Sequence, residues 1–101
     1  MQRGEIYRYA PVTARRQPTL RLIVAAQSLI DAGAPVLLCL PIVEDEDPES
    51  LLAPRIGDLG WAVATNIERT LVSRFTRHVG AATPQEMEQV AVALKAALDL
   101  D

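Results

Sequence analysis

Two long apolar runs in the first half of the chain dominate its hydrophobic pattern. They are RLIVAAQS (Arg21 to Ser28) and VLLCLPIV (Val36 to Val43). Neither run alternates between apolar and polar positions, which is typical of strands buried on both faces. We therefore predict a strand over Leu20 to Gln27, a turn over Ser28 to Pro35 and a further strand over Val36 to Val43. A fixed positive charge, Arg21, stands where the first of these strands begins, and is a candidate anion-binding group.

Weaker patterns on either side predict three more strands. A first strand begins near Ile6, and the polar segment Thr13 to Thr19 that follows it is typical of an exposed hairpin loop. Trp61 to Ile67 predicts a fourth strand, in which the larger side chains Trp61, Val63, Thr65 and Ile67 alternate with Ala62, Ala64 and Asn66, and Leu71 to Val79 predicts a fifth. Since alternate side chains of a strand share a face, the fifth strand would bring three polar side chains together: Arg74, Thr76 and His78.

The end of the chain predicts a helix from about residue 84 to about residue 99. Thr83-Pro84-Gln85-Glu86 has the form of a capping box with proline at the first helical position. An apolar stripe at helical spacing follows: Met87, Val90, Ala91, Leu94, Ala97 and Leu98. Together the elements predict an α+β fold, a small twisted antiparallel sheet or SH3-like partly closed barrel of about five strands with a C-terminal helix. We expect a single domain over residues 1–101.

Composition narrows the possible chemistry. Of the 101 residues, 50% are hydrophobic but only 4% are aromatic, so the core is aliphatic and small enough to make a partner chain plausible. The only cysteine, Cys39, lies inside the second apolar run, which excludes an internal disulfide and a cysteine-based zinc site and fits a cytoplasmic protein. No segment reaches the ~20 apolar residues of a membrane span, and the N-terminus lacks the apolar core of a signal peptide.

Charge is unevenly distributed along the chain. Five acidic residues fall between Glu44 and Glu49, and without them the formal net charge of −3 would be +2. Nine of the ten basic residues are arginines, the side chain best suited to bidentate contacts with phosphate. The composition therefore permits nucleic-acid binding without requiring it.

Three segments resemble landmarks of the MazF/PemK toxin family in the same order: RGEIYRY (Arg3 to Tyr9), RLIVAAQS and GAATPQEM (Gly80 to Met87). RLIVAAQS, IGDLGW (Ile56 to Trp61) and the length also resemble CcdB toxins, which share the fold. Both resemblances imply a homodimer without a cofactor. The MazF/PemK resemblance implies a metal-independent endoribonuclease that cleaves single-stranded RNA and is bound by a cognate antitoxin. The CcdB resemblance implies a growth inhibitor that acts on a protein target such as DNA gyrase.

The MazF/PemK resemblance also implies roles for individual residues. Arg21 falls on the family's arginine before the same apolar strand, where it would stabilise the charge that builds on the scissile phosphate. The alternative for Arg21 is an ion pair with a carboxylate such as Asp31 or Glu44. His78, the only histidine, is a candidate general acid, and Glu68 or Glu44 could act as a base if either faces Arg21. The candidate substrate-binding residues are Arg15, Arg16, Arg74 and Thr76. No metal ligands are expected.

Several positions depart from the patterns of the two families. Leu22 stands where MazF/PemK proteins usually have proline, Val43 where threonine is common, and Thr65 where an aspartate is expected. Valine has no hydroxyl with which to donate to a phosphate oxygen. Leu98 to Leu100 stands where the gyrase-binding tail of CcdB has tryptophan, glycine and isoleucine. Three hypotheses stay open: a MazF/PemK-like ribonuclease, a CcdB-like inhibitor of a protein target, and a catalytically silent member of the fold.

Overall fold

The computed structural model describes residues 1–10, 19–44 and 52–99. Within these ranges the elements are β1 (Glu5–Tyr9), β2 (Leu20–Ile23), α1 (Gln27–Asp31), β3 (Val36–Val43), β4 (Arg55–Ile56), β5 (Gly60–Ala62), β6 (Glu68–Leu71), β7 (Phe75–Ala81) and α2 (Pro84–Leu98). A short 3-10 turn, Val72–Arg74, joins β6 to β7. No helix in the described part of the chain is long and apolar enough to cross a membrane.

The strands form one curled antiparallel sheet in the order β4-β5-β3-β2-β1-β7. β1, β2 and β3 form a meander. The outer edge of β3 pairs with β5 at one end and with β6 at the other. From β6 the chain crosses to β7 on the far side of β1, which curls the sheet into a half-barrel. The predicted α+β class, a partly closed sheet with a C-terminal helix, is confirmed.

Burial agrees with the interpretation of the two apolar runs. Every residue of β2 is buried, and β3 spans the predicted Val36–Val43. β2 is shorter than predicted, because the amides of Val24 and Ala25 both donate to the carbonyl of Leu38 and the regular ladder ends there. The chain then forms the short helix α1 in place of the predicted turn.

Helix α2 confirms the prediction made from the end of the chain. The Thr83 hydroxyl accepts from the Glu86 amide at 3.1 Å, and the Glu86 carboxylate accepts from the Thr83 amide at 2.8 Å. Val90 and Ala93 are buried where α2 packs on one face of the sheet. The sheet residues of this core are Ile6, Leu20, Leu22, Leu40, Ile42, Ile56 and Ala62.

The second half of the sheet departs from the sequence prediction. Of the predicted fourth strand, Trp61 to Ile67, only Trp61 and Ala62 belong to a strand, β5. The predicted fifth strand, Leu71 to Val79, runs from the last residue of β6 through the 3-10 turn into β7. The pairing of β1 with β7 contains two register shifts, so that His78 lies opposite Tyr7 and Phe75 lies opposite Tyr9. A β-bulge changes which face the following residues occupy. The prediction that Arg74, Thr76 and His78 alternate along one strand face is therefore wrong.

Candidate active site

The face of the sheet turned away from α2 carries the candidate chemistry, and we call it the site face. Directly opposed residues of an antiparallel pair carry their side chains on the same face. The strand registers therefore align one row of side chains from β4 to β7: Arg55, Trp61, Val43, Pro41, Arg21, Tyr7 and His78. The row combines cationic and aromatic groups and lies beside a small apolar cluster that contains Ile23, Ala25, Leu37 and Cys39.

Arg21 lies at the centre of this row and is held by contacts on several sides. Its Nε is 2.9 Å from Oε2 of Glu68, and Nη1 donates to the carbonyl of Leu20 at 3.2 Å. The guanidinium carbon lies 4.8 Å from the centroid of the Tyr9 ring, a cation–π contact. Only 3% of the arginine is exposed. The sequence placed Arg21 correctly at the head of the strand, but its carboxylate partner is Glu68 and neither Asp31 nor Glu44.

Glu68 connects the buried guanidinium to solvent, because 34% of its side chain is exposed. It lies opposite Cys39 in the pairing of β3 with β6. The sequence names Glu68 as a base on the condition that it faces Arg21, and the structure meets that condition.

Cys39 lies opposite Glu68, on the same face as the ion pair, and is fully buried. Burial raises the pKa of its thiol to about 11, even though a hydrogen bond with Thr70 and the charge of Arg21 act in the opposite direction. The thiolate is the reactive form of cysteine. The expectation that Cys39 is a small buried core residue is therefore confirmed.

His78 occupies the β7 end of the row and is half exposed. Its Nε2 lies 2.9 Å from Oε2 of Glu5, and its ring meets the edge of Tyr7 at 5.2 Å between centroids. The Tyr7 ring also stacks on Phe75, at 4.9 Å. Burial, the negative charge of Glu5 and a hydrogen bond to it raise the pKa of the Tyr7 hydroxyl. Tyr7 is a register neighbour of both Arg21 and His78, so the two candidate catalytic residues are about 10 Å apart in backbone position.

The other predicted substrate-binding residues lie apart from this row or outside the described residues. Arg15 and Arg16 belong to the segment 11–18, which the structure does not describe. Arg74 is in the 3-10 turn, where its carbonyl accepts from the amide of Ala10 at 2.9 Å. The hydroxyl of Thr76 donates to the carbonyl of Arg8 at 3.3 Å. Thr76 therefore contacts the last residues of β1, and Arg74 contacts the residue that follows β1.

Two features of the site face were not predicted from the sequence. Tyr9 covers Arg21, and Arg55 stacks on Trp61 with the guanidinium carbon 4.3 Å from the ring centroid. The sequence does contain a signal for the contact of Arg55 with Trp61, because Gly57 and Gly60 mark a tight reversal that places these two residues opposite each other. Among the described residues no group of three or more histidine, cysteine or carboxylate side chains is arranged to hold a metal ion.

Comparison with solved structures gives the same fold over the whole chain. An endoribonuclease in complex with its cognate antitoxin from a mycobacterial species matches with a TM-score of 0.85 at 21% identity, covering 100% of this chain and 97% of that one. The Mycobacterium tuberculosis toxin MazF-mt6 matches with a TM-score of 0.75 at 16% identity, covering 96% and 98%. A chain of a MazE–MazF structure from Deinococcus radiodurans matches with a TM-score of 0.77 at 12% identity, covering 99% of this chain and 97% of that one. No protein-family model and no curated protein sequence matches the chain.

Proposed function

We propose that this chain is the toxin of a bacterial type II toxin–antitoxin pair and acts as an endoribonuclease on single-stranded RNA in the cytoplasm. The observation that carries the proposal is the match of the whole chain to an endoribonuclease structure at a TM-score of 0.85. The arrangement of Arg21, Glu68 and His78 on one face adds chemical support, because RNA cleavage needs a cation, a base and an acid.

The proposed reaction uses the 2′-hydroxyl of the substrate as the nucleophile. That oxygen attacks the adjacent phosphorus, the bond from phosphorus to the 5′-oxygen breaks, and the products carry a 2′,3′-cyclic phosphate and a 5′-hydroxyl. Glu68 takes the proton of the 2′-hydroxyl, Arg21 stabilises the dianionic centre, and His78 gives a proton to the leaving oxygen. The chain's own cation fills the place that a metal ion takes in other nucleases, and the reaction therefore proceeds in EDTA.

The burial of Arg21 adds a condition to this mechanism. With 3% of the residue exposed, a phosphate oxygen reaches the guanidinium only when a neighbouring contact gives way. Glu68 is the partner best placed to move, since a third of its side chain already faces solvent. Binding of RNA would then free the base and uncover the cation in one step.

The partners follow from the same proposal. Several of the matching structures are toxins bound to antitoxins, and an acidic, disordered antitoxin segment would suit the cationic row of this face. We propose that the chain forms a homodimer, and that Arg15, Arg16, Arg74 and Thr76 contact RNA beyond the scissile phosphate. The likeness to endoribonucleases favours RNA over DNA gyrase as the target.

The test is cleavage of a long RNA in EDTA by the wild type and by Arg21→Met, Arg21→Lys and Glu68→Gln. We expect the wild type to cleave, the methionine and glutamine variants to lose about 100-fold or more of the rate, and the lysine variant to fall between them. Circular dichroism of each variant separates loss of chemistry from loss of fold. Intact RNA with the folded wild type would mean that the chain is a silent member of the fold or acts on a protein target.

A further inference from the structure

The site face carries a second built feature at its β4–β5 edge, which the proposed mechanism does not use. Arg55 is exposed and its guanidinium lies over the Trp61 ring, with 4.3 Å between the guanidinium carbon and the ring centroid. Its Nε donates to the carbonyl of Gly57 at 3.0 Å. Trp61 is half buried and lies opposite both Arg55 and Val43. We call the stacked pair the Arg55–Trp61 platform.

The turn beneath the platform is itself fixed. The amide of Gly57 donates to the Glu86 carboxylate at 2.6 Å, so the residue that orients Arg55 is tied to the N-terminus of α2. An arginine on a rigid turn, oriented by its own hydrogen bond, loses little side-chain entropy when it binds a flat ligand. The guanidinium plane is therefore prepared before any ligand arrives.

We infer that the Arg55–Trp61 platform is a nucleobase-binding subsite, on which one base of single-stranded RNA stacks against the Arg55 guanidinium. Unstacked RNA bases are recognised by stacking on aromatic rings and on arginine planes, and each such contact tolerates any base. The exposed side of Arg55 supplies that plane, and its charge favours a polyanion. The inference rests on the proposed function for the identity of the ligand.

The position of the platform fits one continuous RNA path across the site face. Arg21 lies opposite Pro41, and Trp61 lies opposite Val43, two residues further along β3. Two strand spacings and two residues of rise place the platform about 12 Å from Arg21, which a short stretch of single-stranded RNA spans. A base held there would fix the register of the chain, so that one particular phosphate meets Arg21.

Tryptophan fluorescence reports directly on the platform, because Trp61 is the only tryptophan in the sequence. We would titrate the full chain with a short 2′-O-methyl RNA oligonucleotide, which has no 2′-hydroxyl and is not cleaved, while following tryptophan fluorescence. Inorganic polyphosphate supplies the same kind of charge without bases. We expect the oligonucleotide to change the fluorescence at saturation and polyphosphate to leave it unchanged.

Matched variants separate stacking from charge. Arg55→Lys keeps the charge and removes the plane, and we expect it to weaken oligonucleotide binding by roughly 5- to 150-fold. Arg69→Lys makes the same change at an exposed arginine opposite Leu38, on the other face of the sheet, and should leave affinity unchanged. Melting temperatures of both variants check that the fold is intact.

The outcomes distinguish this inference from the proposed function. Cleavage of RNA with no fluorescence response to the oligonucleotide would overturn the platform and leave the ribonuclease proposal in place. A fluorescence response with Arg55 dependence but no cleavage would support the platform and remove the ribonuclease. An equal response to polyphosphate, or a response only to an acidic peptide such as polyaspartate, would also overturn the nucleobase subsite.

Discussion

At the scale of single residues, the Arg21 guanidinium contributes both to the stability of the fold and to the proposed chemistry. Its contacts with Glu68, Leu20 and Tyr9 compensate a charge that is almost fully buried. Removing one partner from a buried ion pair is costly, since it leaves the other charge uncompensated. An RNA phosphate can replace Glu68 without that cost, because it brings a negative charge of its own. The same pair can therefore hold the apo protein together and receive the substrate.

Cys39 provides a residue-scale prediction about this site. With a thiol pKa of about 11 in the folded protein, we expect labelling by a disulfide reagent at pH 8 to be slower than in urea by about 100-fold or more. Because the folded protein favours the protonated thiol, the raised pKa contributes its full stabilisation below the pKa of the unfolded thiol, about 9. That contribution is lost as pH rises through 11. Stopped-flow labelling and urea unfolding between pH 8 and 11 measure the two effects. Equal labelling rates in folded and unfolded protein would contradict the burial of this thiol.

At the scale of elements, Glu86 couples α2 to the β4–β5 turn. Burial would raise the pKa of its carboxyl, but hydrogen bonds from the amides of Thr83 and Gly57 outweigh burial and hold the pKa below its ordinary value of 4.5. Because the pKa is lowered, the stabilisation that these hydrogen bonds give to the fold is present above pH 4.5. It is lost as pH falls through the pKa of Glu86 in the folded protein. The helix start and the turn should therefore loosen together in acid.

We predict that Glu86→Gln lowers the free energy of unfolding by about 1 kcal/mol at pH 7, the usual contribution of a helix cap. The difference from the wild type should shrink as pH falls through the folded-state pKa of Glu86, which lies below 4.5, because the wild-type carboxyl then becomes neutral as well. Urea unfolding at several pH values measures it. Glu88→Gln, an exposed change two residues further along α2, is the matched control and should have little effect. A pH-independent difference for Glu86→Gln would argue against the coupling.

Gly60 gives a second prediction at this scale. Its φ is +135°, and a Cβ added there would lie 2.2 Å from the carbonyl oxygen of Val43, a backbone atom that cannot move without breaking the pairing of β3 with β5. We expect Gly60→Ala to destabilise the fold by about 3 kcal/mol or more. Gly33→Ala, at φ +74° with open space around it, should cost only about 1 kcal/mol. Similar denaturation midpoints for the two variants would contradict the close approach of Gly60 to β3.

The elements also show how far the sequence could predict this fold. The capping box at Thr83 and the unbroken apolar run of β3 are local signals, and both elements appear with the predicted bounds to within a residue. The division of the segment Glu68 to Ala81 into β6, a 3-10 turn and β7 has no local signal in the sequence. It follows from pairing with two different partners, β3 and β1, which are distant in sequence. The pairing with β3 and β1 therefore sets the bounds of β6 and β7, which hydrophobic periodicity alone does not predict.

At the scale of the whole molecule, the two faces of the sheet have different tasks. α2 covers one face and closes the larger core, while the other face carries charged and aromatic groups beside a smaller apolar cluster. Arg21 could be chosen from the sequence because a charge at the head of an apolar run is conspicuous. Its partner Glu68 could only be named conditionally, since 47 positions separate the two residues and only the curl of the sheet brings them together.

The central claim is that the site face cleaves RNA by attack of the 2′-hydroxyl. The most direct measurement uses one RNA oligonucleotide in EDTA, intact or with a single 2′-deoxy nucleotide at the cleaved position, followed by mass spectrometry of the products. We predict a 2′,3′-cyclic phosphate and a 5′-hydroxyl from the intact RNA, and no cleavage at the deoxy position. Cleavage that continues at the deoxy nucleotide, or wild-type protein that leaves both RNAs whole, would contradict the account.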